Sequence, residues 1–311
     1  MAFRSLIRTF AASLLHPIMK KLVLTLAAVL CCILTVSAQD AQVERNKKYN
    51  IVLNSSQYTH RDDKMSTGEA VSKIITGVLT GKASVQQPKF EEDVKTGIVK
   101  GLSNARRYRY NEGLLQAGDN VEAGHLIVDA VITNITAKSE SKDTKDKDGK
   151  TKVTTTYIGN VDVTLTLKDA KTGDVVKSPT FNAQSSTYPG YSTSEQAIRG
   201  AITNLSYRIT TWLNQYRPLR ANIIEGATAK KTKQKEVYID LGSREGAFEG
   251  LHMGVYSVKT IAGREAKSQI GKLKIEEVEG EDISLCKVQS GGKDIKEALD
   301  SGQKLQVISI D

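Results

Sequence analysis

The apolar positions change period several times along this chain. YNIVLNSS, residues 49–56, is a short apolar strand, and the SSQYTHRDDKMST that overlaps its end reads as loop. Beyond it Ala70, Val71, Ile74, Ile75, Val78 and Leu79 draw one helical stripe, with Ser66 or Thr67 placed to cap it. TGKASVQQP breaks that helix. Phe90, Val94, Ile98 and Leu102 then recur every four residues, and Glu91, Glu92 and Asp93 suit the positive end of a second helix. ARRYRYN, 105–111, alternates like a strand, and GHLIVDAVITNITAKS, 124–139, predicts a long β-branched strand.

SESKDTKDKDGKTK, 139–152, has no apolar residue and predicts a solvated loop. In VTTTYIGNVDVTLTLKDA, 153–170, Val161, Val163, Leu165 and Leu167 alternate with polar residues, so one face of a second long strand is buried. KTGD, 171–174, turns the chain into a third strand around 175–181. After a polar loop, Ala197, Ala201, Leu205, Ile209 and Trp212 or Leu213 mark a last helix, capped at 192–194 and ended by YRP, 216–218. Helices set around a mixed sheet predict a two-layer or three-layer α/β domain.

After Pro218 short strands recur at regular spacing, punctuated by Gly242, Gly250, Gly263, Gly271, Gly280 and Gly302. That texture predicts a small all-β barrel or sandwich over 218–311. Gly242, Gly246, Gly250 and Gly254 recur every fourth residue in VYIDLGSREGAFEGLHMGVYSV. No Lys-Ser or Lys-Thr follows them, and Arg244, Glu245 and Glu249 forbid a membrane helix. The stretch therefore reads as strand, turn, strand, with glycines supplying positive φ.

The N-terminal pattern is of another kind. From Met19, Lys20 and Lys21 precede an apolar run over 22–36 and a small-residue Val-Ser-Ala ending at Ala38. That order predicts a secretory signal cleaved after Ala38, with residues 1–18 an upstream start and the α/β domain occupying 39–217. Leu30 before Cys31 is too bulky for a lipid-attachment motif. A length of 311 residues fits two domains at about 150 residues each. Removing Arg4, Arg8, Lys20 and Lys21 lowers the net charge from +9 to +5, too mild to call for nucleic acid. It also leaves Cys286 as the one cysteine, which cannot form an intramolecular disulfide and reads as a small buried hydrophobe.

Two parts of the chain resemble known families. GHLIVDAVITNI, VDVTLTLKDAKTGDVVKS and SEQAIRGAITNLSYRI are similar to the strand, hairpin and helix of the CsgG-like envelope proteins. That family includes the curli secretion lipoprotein and the penicillin-binding-protein activator lipoproteins. Ala130 or Thr133 stands where the family has glycine. Residues 225–311 resemble the C-terminal barrel of the flagellar assembly protein FlgT, departing at Gly302-Gln303-Lys304-Leu305, where that module has aspartate. The resemblances imply an exported envelope protein, in the periplasm or on the periplasmic face of the outer membrane.

Candidate chemistry is sparse. His60, His125 and His252 have no metal-ligand spacing, no nucleophile elbow occurs, and the acid runs Asp62-Asp63 and Glu91-Glu92-Asp93 lie in ordinary surface patterns. We expect no enzyme, no cofactor and no metal. Tyr188 and Tyr191, on the STYPGYS loop, and Arg107 and Arg109, alternating with Tyr108 and Tyr110, are the candidate partner-binding residues. The alternatives are tyrosines packed on the neighbouring strand and a core-facing Tyr108/Tyr110 pair with solvated arginines. Envelope proteins, a second copy, peptidoglycan and the outer membrane are the expected partners. The functional reading is a non-enzymatic assembly scaffold or regulator. The alternatives are a secretion-channel subunit and a glycan or small-ligand binding module. Against the channel stand the charges of 139–152, since each basic group facing lipid near the midplane costs about 2–4 kcal/mol.

Overall fold

The computed structural model describes residues 45–59, 84–116, 121–145, 151–188 and 190–310, and Lys48–Asp311 forms one compact unit. The expected signal segment, the helix over 69–79, His60 and Asp62-Asp63 lie outside the described residues. The fold is an α/β mixed sheet followed by a small closed barrel. In chain order the sheet part contains β1 (Tyr49–Tyr58), β2 (Ser84–Gln86), α1 (Glu91–Ser103), β3 (Tyr108–Tyr110), β4 (Leu126–Lys145), β5 (Thr151–Asp169), β6 (Val175–Lys177), β7 (Thr180–Gln184) and α2 (Ser194–Tyr216). β3, β1, β4 and β5 lie side by side, β2 adds to β4, and β6 and β7 add to β5. β1 runs parallel to β3 and β4, and the other pairs are antiparallel.

Period-2 burial explains the long strands. Val161, Val163, Leu165 and Leu167 of β5 face the helices, as do Leu126, Val128, Ala130 and Ile132 of β4. A bulge between Ile132 and Asn134 then shifts the phase, so that Ile135 and Ala137 join the hydrophobic cluster, with Thr136 between them also buried. α1 buries Val94, Ile98 and Leu102, and α2 buries Ala197, Ala201, Leu205, Ile209 and Leu213, on the spacing the sequence predicts. The Thr193 hydroxyl accepts the Gln196 N–H at 3.2 Å, which closes the start of α2. Both helices pack against one hydrophobic cluster with the sheet. The sheet also carries polar ladders, with Thr164 3.0 Å from Thr180, and Asn134 and Asn182 each donating to Asp162 at 3.0 Å.

The barrel contains β8 (Arg220–Lys230), β9 (Lys233–Ile239), β10 (His252–Ile261), β11 (Arg264–Val278), β12 (Ser284–Ser290), α3 (Gly292–Asp300) and β13 (Leu305–Ser309). Its strands close in the order β10-β11-β12-β9-β8-β13. Val237, Ile239, Met253, Val255, Leu273, Ile275, Cys286 and Val307 fill it as a second cluster. Burial pushes the Cys286 thiol up to about 12, as fits a hydrophobe rather than a nucleophile.

Three expectations are corrected. Residues 139–145 and 151–152 are strand rather than loop: β4 runs to Lys145 and β5 starts at Thr151, paired residue for residue, while 146–150 lie outside the described residues. The expected single strand over 175–181 is two, broken at Ser178 and Pro179, where proline cannot donate to the ladder. Of 105–111 only Tyr108–Tyr110 is strand. β9 and β10 do not pair as a hairpin, because barrel closure puts β12 and β8 beside β9. The glycines between them do turn the chain, Gly246 at φ 100° and Gly250 at φ 95°.

Candidate interaction surfaces

The four candidate residues do not come together. Tyr188 is 91% exposed at the tip of its loop, where its N–H donates to the Ser186 hydroxyl at 3.3 Å. Tyr191 is half-buried. Its backbone bridges Tyr157, and a Cβ on Gly200 would fall 2.5 Å from its hydroxyl, so its ring lies on α2. Tyr191 thus ties the loop down while Tyr188 projects. Arg109 is exposed on β3, opposite Asn50 of β1.

Arg107 is a correction. It is only 6% exposed and so is not offered to a partner. It precedes β3 in a turn, donates from Nη1 to the Pro218 carbonyl at 3.3 Å, and lies 5.9 Å over the Tyr49 ring. Burial lowers its pKa, and repulsion from Arg217 and Arg220 lowers it further. Arg106 beside it lies over Phe248 of the β9–β10 connection at 5.1 Å, and the Asn214 side chain accepts its backbone N–H at 2.9 Å. Arg217 lies 3.9 Å over Tyr49 and donates to the Gly124 carbonyl at 3.0 Å. These arginines form a joint in which side chains of the sheet meet the linker and the barrel.

Beyond Lys138, where β2 ends its pairing, β4 continues from Ser139 to Lys145 against Tyr157 to Thr151 of β5. Apart from the Tyr157–Tyr191 bridge, neither strand of this arm has an outer neighbour among the described residues. Seven residue pairs at about 3.4 Å each give an arm of roughly 20 Å. One side of it carries Asp143 and Lys145, the other Glu140 and Lys142, so neither side is apolar.

Sequence reading also missed an aromatic shelf. Leu213 occupies the core position of α2, and Trp212 lies beside it, stacked on Tyr216 at 5.2 Å and 8°. Phe181 meets Trp212 edge-on at 6.2 Å. With Lys177, Ser178, Pro179 and Gln215, the Trp212 and Tyr216 rings line an open cleft of about 430 Å³. A tryptophan and a tyrosine four residues apart on a predicted helix are the signal that could have found it.

On the sheet, Asp129 of β4 accepts from Ser55 at 2.6 Å, Asn54 at 2.7 Å and Lys168 at 2.9 Å. Burial pushes its carboxyl up, but these contacts more than reverse the effect and hold it below the usual range. An ionised carboxylate saturated by three donors fits a structural anchor. Among the described residues no group of three or more His, Cys, Asp or Glu is placed to hold a metal. No helix among them is long and apolar enough to cross a membrane.

No protein-family model matches the chain, and no curated protein matches it. Solved structures align with about half of it. The hypothetical protein CT253 from Chlamydia trachomatis is 12% identical, covering 54% of this chain and 95% of its own, with a TM-score of 0.29. The PelC dodecamer from Paraburkholderia phytofirmans is 16% identical over 53% and 89%, with a TM-score of 0.23. Lipoprotein GNA1162 from Neisseria meningitidis is 12% identical over 54% and 97%, with a TM-score of 0.19. Likenesses this shallow say nothing about what this chain binds.

Proposed function

We propose that this chain is an exported, non-enzymatic envelope scaffold that associates with a second copy of itself through the β4–β5 arm. Export rests on the basic, apolar, small-residue order from Met19 to Ala38. Association rests on one observation, the two strand edges of the arm that have no neighbour among the described residues beyond the Tyr157–Tyr191 bridge. A two-stranded ribbon alone is marginally stable in water, and open edges recruit further strands. A second β4 laid antiparallel about Ser141 sets Glu140 opposite Lys142 twice, a self-complementary register of the kind a two-fold interface requires. The arm offers no lipid-facing side, which weighs against the channel alternative.

The test is sedimentation of the chain beginning at Gln39, which keeps the whole compact unit. Replacing residues 140–156 by an Asn-Gly turn should give a monomer whose melting temperature is unchanged. Glu140→Lys or Lys142→Glu alone should weaken association, and the two together should restore it. A monomeric parent, or association that survives loss of the arm, refutes the reading.

The aromatic shelf favours a second reading, the glycan or small-ligand module. Stacked aromatic faces with a few polar groups around an open cleft fit a flat ligand with an apolar face, such as a sugar ring. Trp212 is the one tryptophan, so its fluorescence reports the cleft directly. N-acetylglucosamine oligosaccharides at millimolar concentration should shift the emission saturably, and Tyr216→Ala should weaken this about tenfold. Unchanged emission ends this second reading.

A further inference from the structure

The barrel has two unlike mouths. β8 is antiparallel to β13 and β13 is antiparallel to β10, so β8 and β10 run the same way. The β8–β9 turn at Lys231-Thr232 and the β10–β11 turn at Ala262-Gly263 therefore leave the barrel at one mouth. The other mouth holds Pro218 and the 240–251 connection, which meet the arginine joint. α3 lies across the first mouth, with Ile295 and Ala298 buried in the barrel core. β13 separates the two hairpins on one side and β12 on the other, so their tips flank α3.

Charge is unevenly placed at this mouth. Residues 230–235 hold Lys230, Lys231, Lys233 and Lys235, all exposed, and no acid. Residues 259–267 hold Lys259, Arg264 and Lys267 against Glu265, and exposed Lys304 precedes β13. Glu236 follows Lys235 and stands opposite Lys287 of β12, and the other acids here are on α3. Glu297 and Asp300 pair with Lys293 at 3.6 Å and Lys296 at 3.0 Å on the same helix, leaving Asp294. Lys230 stands directly opposite Lys233 in the ladder, an arrangement that costs stability unless an anion lies over it. Lys231 at φ 56° and Ala262 at φ 50° make both turns tight. Between Lys259 and Arg264, Ile261 is 63% exposed at the end of β10.

We propose that this mouth of the barrel docks on the surface of an anionic lipid bilayer, with the lysines of both tips on head-group phosphates and Ile261 in the interfacial layer. A soluble polyanion satisfies lysines equally well, but it has no use for an exposed isoleucine at the apex of a basic hairpin. Two tips flanking a helix also meet a broad surface better than a single strand of polymer. The inference goes beyond the scaffold reading and does not need the arm.

Co-sedimentation with vesicles tests it, using the chain beginning at Gln39. Vesicles of phosphatidylcholine mixed with phosphatidylglycerol should bind the protein, and phosphatidylcholine alone should not. Binding should vanish as salt approaches 1 M, where the screening length is about 3 Å. Each lysine near an anionic surface is worth about a fivefold factor, so Lys230→Gln, Lys231→Gln and Lys233→Gln together should weaken binding about 100-fold. Ile261→Ser should weaken it about tenfold with the melting curve unchanged. The arm-shortened chain should still bind, so failure here and failure of the scaffold reading are separable. Equal binding to neutral vesicles overturns the proposal. So does an Ile261→Ser chain that binds as the parent does while heparin competes fully, which would mark a polyanion surface instead.

Discussion

Gly159→Ala should lower the melting temperature by about 6–12 °C. Gly159 is on β5 under the first turn of α2, where a Cβ would fall 2.2 Å from the Ala197 carbonyl oxygen and 2.4 Å from its carbon. Both contacts are with backbone, so no rotamer change relieves them. β5 is held from its other neighbour as well: Gly159 N–H donates to the Ser185 hydroxyl at 2.9 Å, and Ser185 N–H donates to the Gly159 carbonyl at 2.9 Å. Overpacking a closed core costs about 1–3 kcal/mol, and the upper end applies where a helix must lift from its sheet. At about 2–4 °C per kcal/mol for a chain of this size, 3 kcal/mol gives the stated shift. Gly280→Ala is the control, since no atom lies within 4 Å of that Cβ and its φ is not positive, and its melt should match the parent. Thermal unfolding followed by circular dichroism decides it, and a Gly159→Ala chain that melts with the parent refutes the close approach.

Wherever one face of an element is buried, the sequence displays its period. Val161 to Leu167 and Ala197 to Leu213 are legible for that reason. The arm is not legible, because serine, threonine and alternating charges carry no apolar face. What makes it a strand is the ladder already begun at Leu126 and Asp169, which the sequence does not display. α3 is obscured by its start at Gly291-Gly292 and by having only Ile295 and Ala298 to bury, too short a stripe to set a period. Neighbouring strands in sequence suggest a hairpin for β9 and β10, but barrel closure is a non-local constraint. Arg107 misled for the same reason. Its alternation with Tyr108 is local, while the residues that bury it, Tyr49 and Pro218, are far away in the chain. Trp212 reads as either core or edge of the α2 stripe, and only the position of Leu213 decides between them.

Arg217→Ala should cost about 3 kcal/mol and split thermal unfolding into two steps. The Arg217 guanidinium lies 3.9 Å over Tyr49, with Tyr108 at 5.6 Å and Tyr216 at 5.9 Å. A cation over an aromatic ring in a partly desolvated site contributes about 1–2 kcal/mol. The hydrogen bond to the Gly124 carbonyl adds about 1.5–3 kcal/mol, because its donor is charged. Relief of repulsion on Arg107 offsets part of this, which keeps the expected sum near 3 kcal/mol. Two steps are expected because the sheet and the barrel each have a hydrophobic cluster of their own, and Arg106 over Phe248 and Arg107 on the Pro218 carbonyl connect them, with Arg107 sharing the Tyr49 ring with Arg217. Arg217→Lys keeps the charge but loses the planar face and the fork, so it should recover less than half of the loss. Limited proteolysis supplies the second readout. The Pro218 region should resist cleavage in the parent, where Arg107 holds the Pro218 carbonyl, and should open in Arg217→Ala. An Arg217→Ala chain with the parent's melting temperature, a single transition and an uncut linker would show that the two cores are coupled by something other than this joint.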